Sequence, residues 1–171
     1  MSGYELKATI ESSIGNFWSE SFGQIYPELH RLEKEGLVAS LPEPKENPKS
    51  KRRYAITESG RETLRQWLAQ APKERPPRNE LLLKIFFGLR GDPGKLLRYV
   101  TEARESFEKK IAALKQGEAQ LREAQKDNPH LPYWLITIRN GLFHYEAMLS
   151  WCNETIAELE RLAAAPKPSI E

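Results

Sequence analysis

Hydrophobic positions along the chain change period several times, and each change predicts an element. Residues 2–14 place Leu6 and Ile10 four apart, with Tyr4 and Ile14 nearby, on a polar background. That spacing predicts a short amphipathic helix. Ser2 and Glu5 stand at capping-box spacing at its start, and Gly15 is a stop signal. Residues 21–35 repeat the pattern, with Ser21 and Gln24 as the box, Ile25, Leu29 and Leu32 on one face, and Gly36 at the end. Asn16 to Glu20, anchored by Phe17 and Trp18, join the two as a helix-turn-helix. Leu37 to Leu41 then read as a short strand, 43–50 as a polar, proline-rich loop, and Arg53 to Ile56 as a returning strand. Thr57 caps a third helix whose apolar face is Leu64, Trp67 and Leu68. Helix, helix, hairpin, helix is the order of a winged helix-turn-helix.

The second half is helical throughout. Ala71 to Pro77 read as a linker, and Leu81 to Leu89 as a short, strongly apolar helix. A long helix runs from Pro93 to Lys126, with Leu97, Val100, Phe107, Ile111, Leu114 and Leu121 on a +3, +4 rhythm that Arg104 and Glu118 interrupt. The last helix, Leu131 to Ala164, carries an unbroken seam of Leu135, Ile138, Leu142, Tyr145, Leu149, Cys152, Ile156 and Leu159. Trp134, Phe143, Trp151 and Leu162 widen its apolar surface. Two helices cannot hide that much, and the simplest further partner is a second copy of the chain. The expected fold is therefore mainly α: a winged helix-turn-helix with a two-stranded wing, plus a C-terminal long-helix, coiled-coil-like dimerisation domain. The expected boundaries are 1–70 for the first domain, 71–77 for a linker, 78–165 for the second domain and 166–171 for a tail. Leu135, Ile138, Leu142, Tyr145, Leu149, Ile156 and Leu159 are the expected dimerisation residues.

Composition removes several function classes. One Cys among 171 residues excludes an intramolecular disulfide framework and a multi-Cys zinc site. Its place in the seam reads as core. His30, His130 and His144 lack metal-ligand spacing, and no Gly-rich phosphate loop or G-x-S-x-G motif is present. The expectation is a protein that is not an enzyme and takes no cofactor or metal. The apolar runs are too short to span a bilayer and the N-terminus does not read as a signal peptide, so the expected place is the cytoplasm.

Charge changes the picture more than composition does. The formal total is +2, which argues against nucleic acid. Residues 1–41, however, hold three basic and six acidic side chains, a net of −3. Residues 45–53 hold Lys45, Lys49, Lys51, Arg52 and Arg53 against Glu46 alone, a net of +4. Basic charge is thus concentrated in the wing and its returning strand, where it would lie along a groove and contact phosphates. The second helix would be the recognition helix, with Ser21, Gly23, Gln24, Tyr26 and Pro27 at its outer end and His30 and Arg31 further along. Gln24 has two competing uses, pairing with adenine and closing the cap of Ser21.

The run Ser2-Gly3-Tyr4-Glu5-Leu6, then Phe17-Trp18, then Gly23-Gln24-Ile25-Tyr26-Pro27 with Arg31-Leu32-Glu33 and Glu35-Gly36-Leu37-Val38, resembles the PadR family of bacterial transcriptional regulators. Tyr54, Ile56-Thr57, Gly60-Arg61, Leu64 and Trp67-Leu68 continue the likeness, and Gly141-Leu142, Tyr145-Glu146 and Trp151 resemble that family's helical dimerisation domain. The resemblance implies a homodimeric winged-helix repressor of double-stranded operator DNA, responsive to an aromatic or hydrophobic small molecule. It implies that Ser21, Gly23, Gln24, Tyr26 and Pro27 face the operator, that Tyr4 and Lys7 approach phosphate, and that Lys45 to Arg53 are the wing. Trp134, Tyr145 and Trp151 on the last helix are candidates for the lining of an effector pocket at the dimer axis, with plain dimer core as the favoured alternative. Family members carry another Leu- and Ile-rich helix before the S-G-Y-E-L motif, whereas here Met1 stands directly before it; the alternatives are a misassigned start codon, an absent helix, or long C-terminal helices that cover the gap. The competing readings are a protein-interaction module and a small-molecule sensor that has lost operator binding.

Overall fold

A serine or threonine stands at the start of each helix of the N-terminal part. The computed structural model describes residues 1–15, 17–18, 21–41, 52–73, 78–88 and 92–164. The chain divides into two compact units, Met1–Arg75 and Pro76–Glu171. In the first, α1 (Gly3–Ser13) opens on a reciprocal box: the Glu5 N–H donates to Ser2 Oγ at 3.2 Å, and the Ser2 N–H donates to the Glu5 carboxylate at 2.8 Å. This satisfies two of the donors that every helix start leaves orphaned. α2 (Phe22–Lys34) begins after Ser21 and ends in a Schellman turn. There the Gly36 N–H donates to the Glu33 carbonyl and the Leu37 N–H to the Leu32 carbonyl, at 3.0 and 2.9 Å, with Gly36 at φ 73°.

That turn delivers the chain into β1 (Val38–Ser40), which pairs antiparallel with β2 (Tyr54–Ile56) in the register Val38↔Ile56, Ala39↔Ala55, Ser40↔Tyr54. Both strands are shorter than the sequence pattern predicts. On the other edge of β2, the Tyr54 N–H donates to the Met1 carbonyl and the Met1 amino group donates to the Tyr54 carbonyl, each at 2.8 Å. α3 (Glu58–Leu68) starts where Thr57 Oγ1 accepts the Gly60 N–H at 3.0 Å. Gly60 is pressed onto the start of the sheet, so a Cβ there would stand 2.0 Å from the Leu37 carbonyl oxygen.

The core of this unit is Ile25, Leu29 and Tyr54, with Leu6 and Val38 half-buried against it. The expected face of α3 is not part of it: Leu64, Trp67 and Leu68 are exposed. α2 and β2 already fill the core, so α3 keeps its apolar spacing without an intra-unit surface to cover it. A cleft of about 720 Å3 opens between α1 and α2, floored by Leu6, Ile10, Leu29 and Leu32 and edged by Trp18.

The second unit holds α4 (Glu80–Phe86), α5 (Pro93–Ala124) and α6 (Leu131–Ala164). Asn79 caps α4 by accepting the Leu82 N–H, and Asp92 caps α5 by accepting the Gly94 N–H, with Pro93 in the first turn. α5 and α6 run antiparallel, so that Leu96 and Val100 early in α5 meet Cys152 and Leu159 late in α6; the Phe107 ring lies tilted against Tyr145 with centroids 5.8 Å apart, and Lys115 pairs with Glu146 at 3.4 Å. Leu96, Val100, Cys152 and Leu159 form the core, joined by Leu81 and Ile85 from α4 and by Ile156 and Trp151. The expected rhythm of α5 passes over Leu96, which is buried. Burial of Cys152 pushes its thiol pKa up. Among the described residues no helix is long and apolar enough to cross a membrane.

The seam of α6 is therefore at least partly internal. Tyr145, Cys152 and Leu159 are buried, while Leu135, Ile138, Leu142, Leu149 and Ile156 are half-buried. Large apolar side chains that remain exposed lie elsewhere: Leu82, Leu83, Phe86 and Phe87 on and just after α4, and Tyr133, Ile136 and Phe143 on α6.

Candidate nucleic-acid interface

The helix-turn-helix places α2 with its N-terminal turn exposed. Ser21, Gly23, Gln24, Tyr26 and Pro27 all lie on the surface. Pro27 sits inside the helix, past the orphan donors of its start, and removes the N–H that would otherwise donate to the Gly23 carbonyl. Gln24 is engaged locally: its Oε1 accepts from the Ser21 N–H at 3.2 Å and from the Ser21 hydroxyl at 3.1 Å. The cap therefore holds the oxygen, leaving the side-chain amide NH2 pointing to no described residue. Tyr26 packs its ring on the start of α1. A Cβ at Gly3 would stand 2.8 Å from Tyr26 Cε1, so Gly3 is what allows that approach. Periodicity could not flag Gly3, because it contributes through the side chain it lacks.

The cations of this region are mostly paired. Arg31 lies between two carboxylates one turn away on either side, with Nε at 3.0 Å from Glu28 and Nη1 at 2.6 Å from Glu35. Hydrogen bonding to Arg31 holds the Glu28 carboxyl below the usual carboxylate range. The Arg31 guanidinium is in turn raised above its ordinary value, by Glu28 first and Glu35 second. Lys7 pairs with Glu11 at 3.2 Å, and Tyr4, one turn before it, is exposed. Arg52 donates to Glu33 of α2 at 2.8 Å and stands over the Tyr54 ring, 5.6 Å from its centroid. Arg53 is 3.9 Å from Glu5. That carboxyl is held below its usual value, chiefly by the Ser2 backbone N–H and more weakly by Arg53. These pairs are surface pairs, each of small energetic weight in water. Their importance is geometric, because they orient the guanidinium groups. Lys45, Lys49 and Lys51 lie outside the described residues.

The aromatics of α6 do not converge within one chain. At about 1.5 Å of rise per residue, Trp134 and Tyr145 are about 16 Å apart along the helix. Trp134 stacks on His130 with centroids 5.9 Å apart, Tyr145 packs on Phe107, and Trp151 packs on the unit's core. Among the described residues no group of His, Cys, Asp or Glu could hold a metal ion.

Comparison with known proteins bears on both parts of the chain. Residues 1–66 match the description "Transcriptional regulator PadR-like family", and residues 77–160 match "Virulence activator alpha C-term". The first part of the chain is thus similar to the PadR-like family of transcriptional regulators. It is 33% identical over 88 residues to the negative transcriptional regulator PadR of Bacillus subtilis, a match covering 51% of this chain. That match spans 48% of the relative's length. A PadR-like transcriptional regulator of Bacillus cereus superposes with a TM-score of 0.74 at 27% identity, over 94% of this chain and 90% of that one. Bacillus subtilis PadR in complex with operator DNA has the same fold, with a TM-score of 0.78 at 24% identity over 93% and 89% of the two chains. The PadR-like architecture is thus a winged helix followed by long helices, as the order of elements here has it.

Proposed function

We propose that this PadR-like chain is a homodimeric, sequence-specific DNA-binding repressor whose operator affinity is lowered by an aromatic or hydrophobic small molecule. One observation carries the DNA reading. Arg52 reaches from the start of the returning strand to Glu33 of α2 at 2.8 Å, so the helix and the base of the wing share one surface. A basic wing continuing from that base tracks phosphates, while α2 enters the major groove. Ser21, Gly23, Tyr26 and Pro27 are the proposed operator-facing end, and Tyr4 and Lys7 the proposed phosphate approach from α1. Arg31 contributes only when DNA phosphate competes with Glu28 and Glu35.

The partners follow from chemistry and from relatives. Bacillus subtilis PadR has been solved with operator DNA and, separately, with p-coumaric acid. The same two classes of ligand are proposed for this chain. Exposed Leu82, Phe86, Tyr133, Ile136 and Phe143 give the second unit apolar surface for a second copy. A dimer offers two α2 helices to half-sites about 34 Å apart, one turn of DNA.

The test replaces Lys49, Lys51, Arg52 and Arg53 by Ala in the full chain. Its affinity for duplexes enriched from a random pool should fall at least tenfold, and its dependence on log salt should flatten by up to four phosphate contacts. Unchanged affinity and slope would remove the wing from the interface. For the effector, Trp134→Phe and Trp151→Phe variants report which tryptophan fluorescence responds to p-coumaric acid. No response from any variant or from the unaltered chain would remove that part of the reading.

A further inference from the structure

The charges of α2 are sorted by face. At about 100° per residue, Gly23, Pro27, His30 and Lys34 fall within about 60° of one another, opposite the buried Ile25 and Leu29. All four are exposed. The acidic residues of the helix and its C-cap, Glu28, Glu33 and Glu35, all lie off this stripe. Glu28 and Glu35 flank it on the side of Arg31, which pairs with both, and Glu33 flanks it on the other side, paired with Arg52. The stripe itself holds no carboxylate. Its two side chains with donors, His30 and Lys34, make no hydrogen bond or ion pair with any described residue.

We infer that His30 and Lys34 are operator contacts, with His30 a specificity-determining residue and Lys34 a phosphate contact. The inference rests on the DNA-binding reading above and adds residues to it. At the N-terminal end, Gly23 and Pro27 have no polar side-chain atoms. An added Cβ at Gly23 would touch only Ser21 Oγ, at 3.6 Å, so the face there is open and low. Such a face lets the helix backbone approach a groove floor closely. His30 is one turn further on, within reach of base edges, where an imidazole can donate or accept according to its tautomer. Lys34 is in the last turn, where the helix climbs out of the groove, and its long stem carries a point charge to the backbone. The flanking arginines reduce the obstacle that three carboxylates would pose. Each acidic flank already carries a cation, and the two guanidinium groups offset two of the three carboxylate charges beside the basic strip.

The probes are the duplex that the unaltered full chain enriches from a random pool, and a scrambled duplex of the same composition. Lys34→Ala should weaken both by about three- to tenfold and lower the log-salt slope by about one. His30→Ala should weaken the enriched duplex by about tenfold and leave the scrambled one within twofold. Repeating the selection with His30→Gln should change the preferred base at one position of each half-site, which a merely structural residue would not do. If His30→Ala and His30→Gln select the original sequence with unchanged affinity, His30 does not read bases. If Lys34→Ala keeps the slope, Lys34 does not touch phosphate. An unaltered chain that enriches no duplex overturns the DNA reading and this assignment together, whereas an enriched duplex bound equally by every variant overturns the assignment alone.

Discussion

The two units are held by different kinds of interaction. Among its described residues the N-terminal unit buries three large apolar side chains, and it takes its shape from particular backbone devices: the Ser2–Glu5 box, the Schellman turn at Gly36, the Thr57 cap and the contact of Gly60 with the Leu37 carbonyl. The C-terminal unit is held by repetition, with side chains of α5 and α6 meeting at helical spacing around Val100 and Cys152. Local devices fix where each group of a small surface points, which suits a face that reads another molecule. Periodic packing fixes burial but leaves the partner open, which suits a unit that extends itself by association.

The contrast can be broken by substitution. The largest effect is expected at Gly60. An alanine Cβ 2.0 Å from a backbone oxygen forces the first turn of α3 off the sheet, at a cost of about 3 kcal/mol. Amide exchange should accelerate through residues 2–68 and stay unchanged in α5 and α6. Exchange rates like those of the original chain would show that the close approach is not required. Val100→Ala is the counterpart in the second unit, fully buried and surrounded by aliphatic neighbours. It should cost about 2 kcal/mol, accelerate exchange in α5 and α6, and spare the first unit. Loss of protection in both units would mean that they unfold as one.

The smallest expected effect sharpens the role of the box. Glu5 has a depressed carboxyl pKa, so its contribution is full above the ordinary carboxylate range and fades as pH falls through the depressed value. Glu5→Gln should therefore destabilise α1 slightly near neutral pH, and the difference from the original chain should shrink on acidification below the ordinary carboxylate range. A difference that persists at low pH would mean that charge is not what the box uses.

Much of this was legible in the chain. Ser2, Ser21 and Thr57 announce three helix starts because capping needs a short side-chain acceptor at a fixed offset. Gly36 announces the turn into β1. The seam of α6 announces burial, but a heptad pattern states which residues leave water and not what covers them. Tyr145, Cys152 and Leu159 proved to be buried within their own unit. The opposite happened in α3, where Leu64, Trp67 and Leu68 have helical spacing and remain exposed. Pairing of Arg31 with Glu28 and Glu35 was written in their spacing of three and four, although charge counting over a long segment conceals it. The contact of Tyr26 with Gly3 has no periodic signal at all, because it depends on how two helices meet.

The central claim is that α2 and the base of the wing together read a DNA sequence. It is tested most directly by equilibrium binding of the full chain to its enriched duplex and to a scrambled one, each across a range of salt. The account predicts that log affinity falls linearly with log salt on both, and that the enriched duplex is held at least about 10³-fold more tightly. Equal affinity for the two duplexes, or binding indifferent to salt, would contradict it.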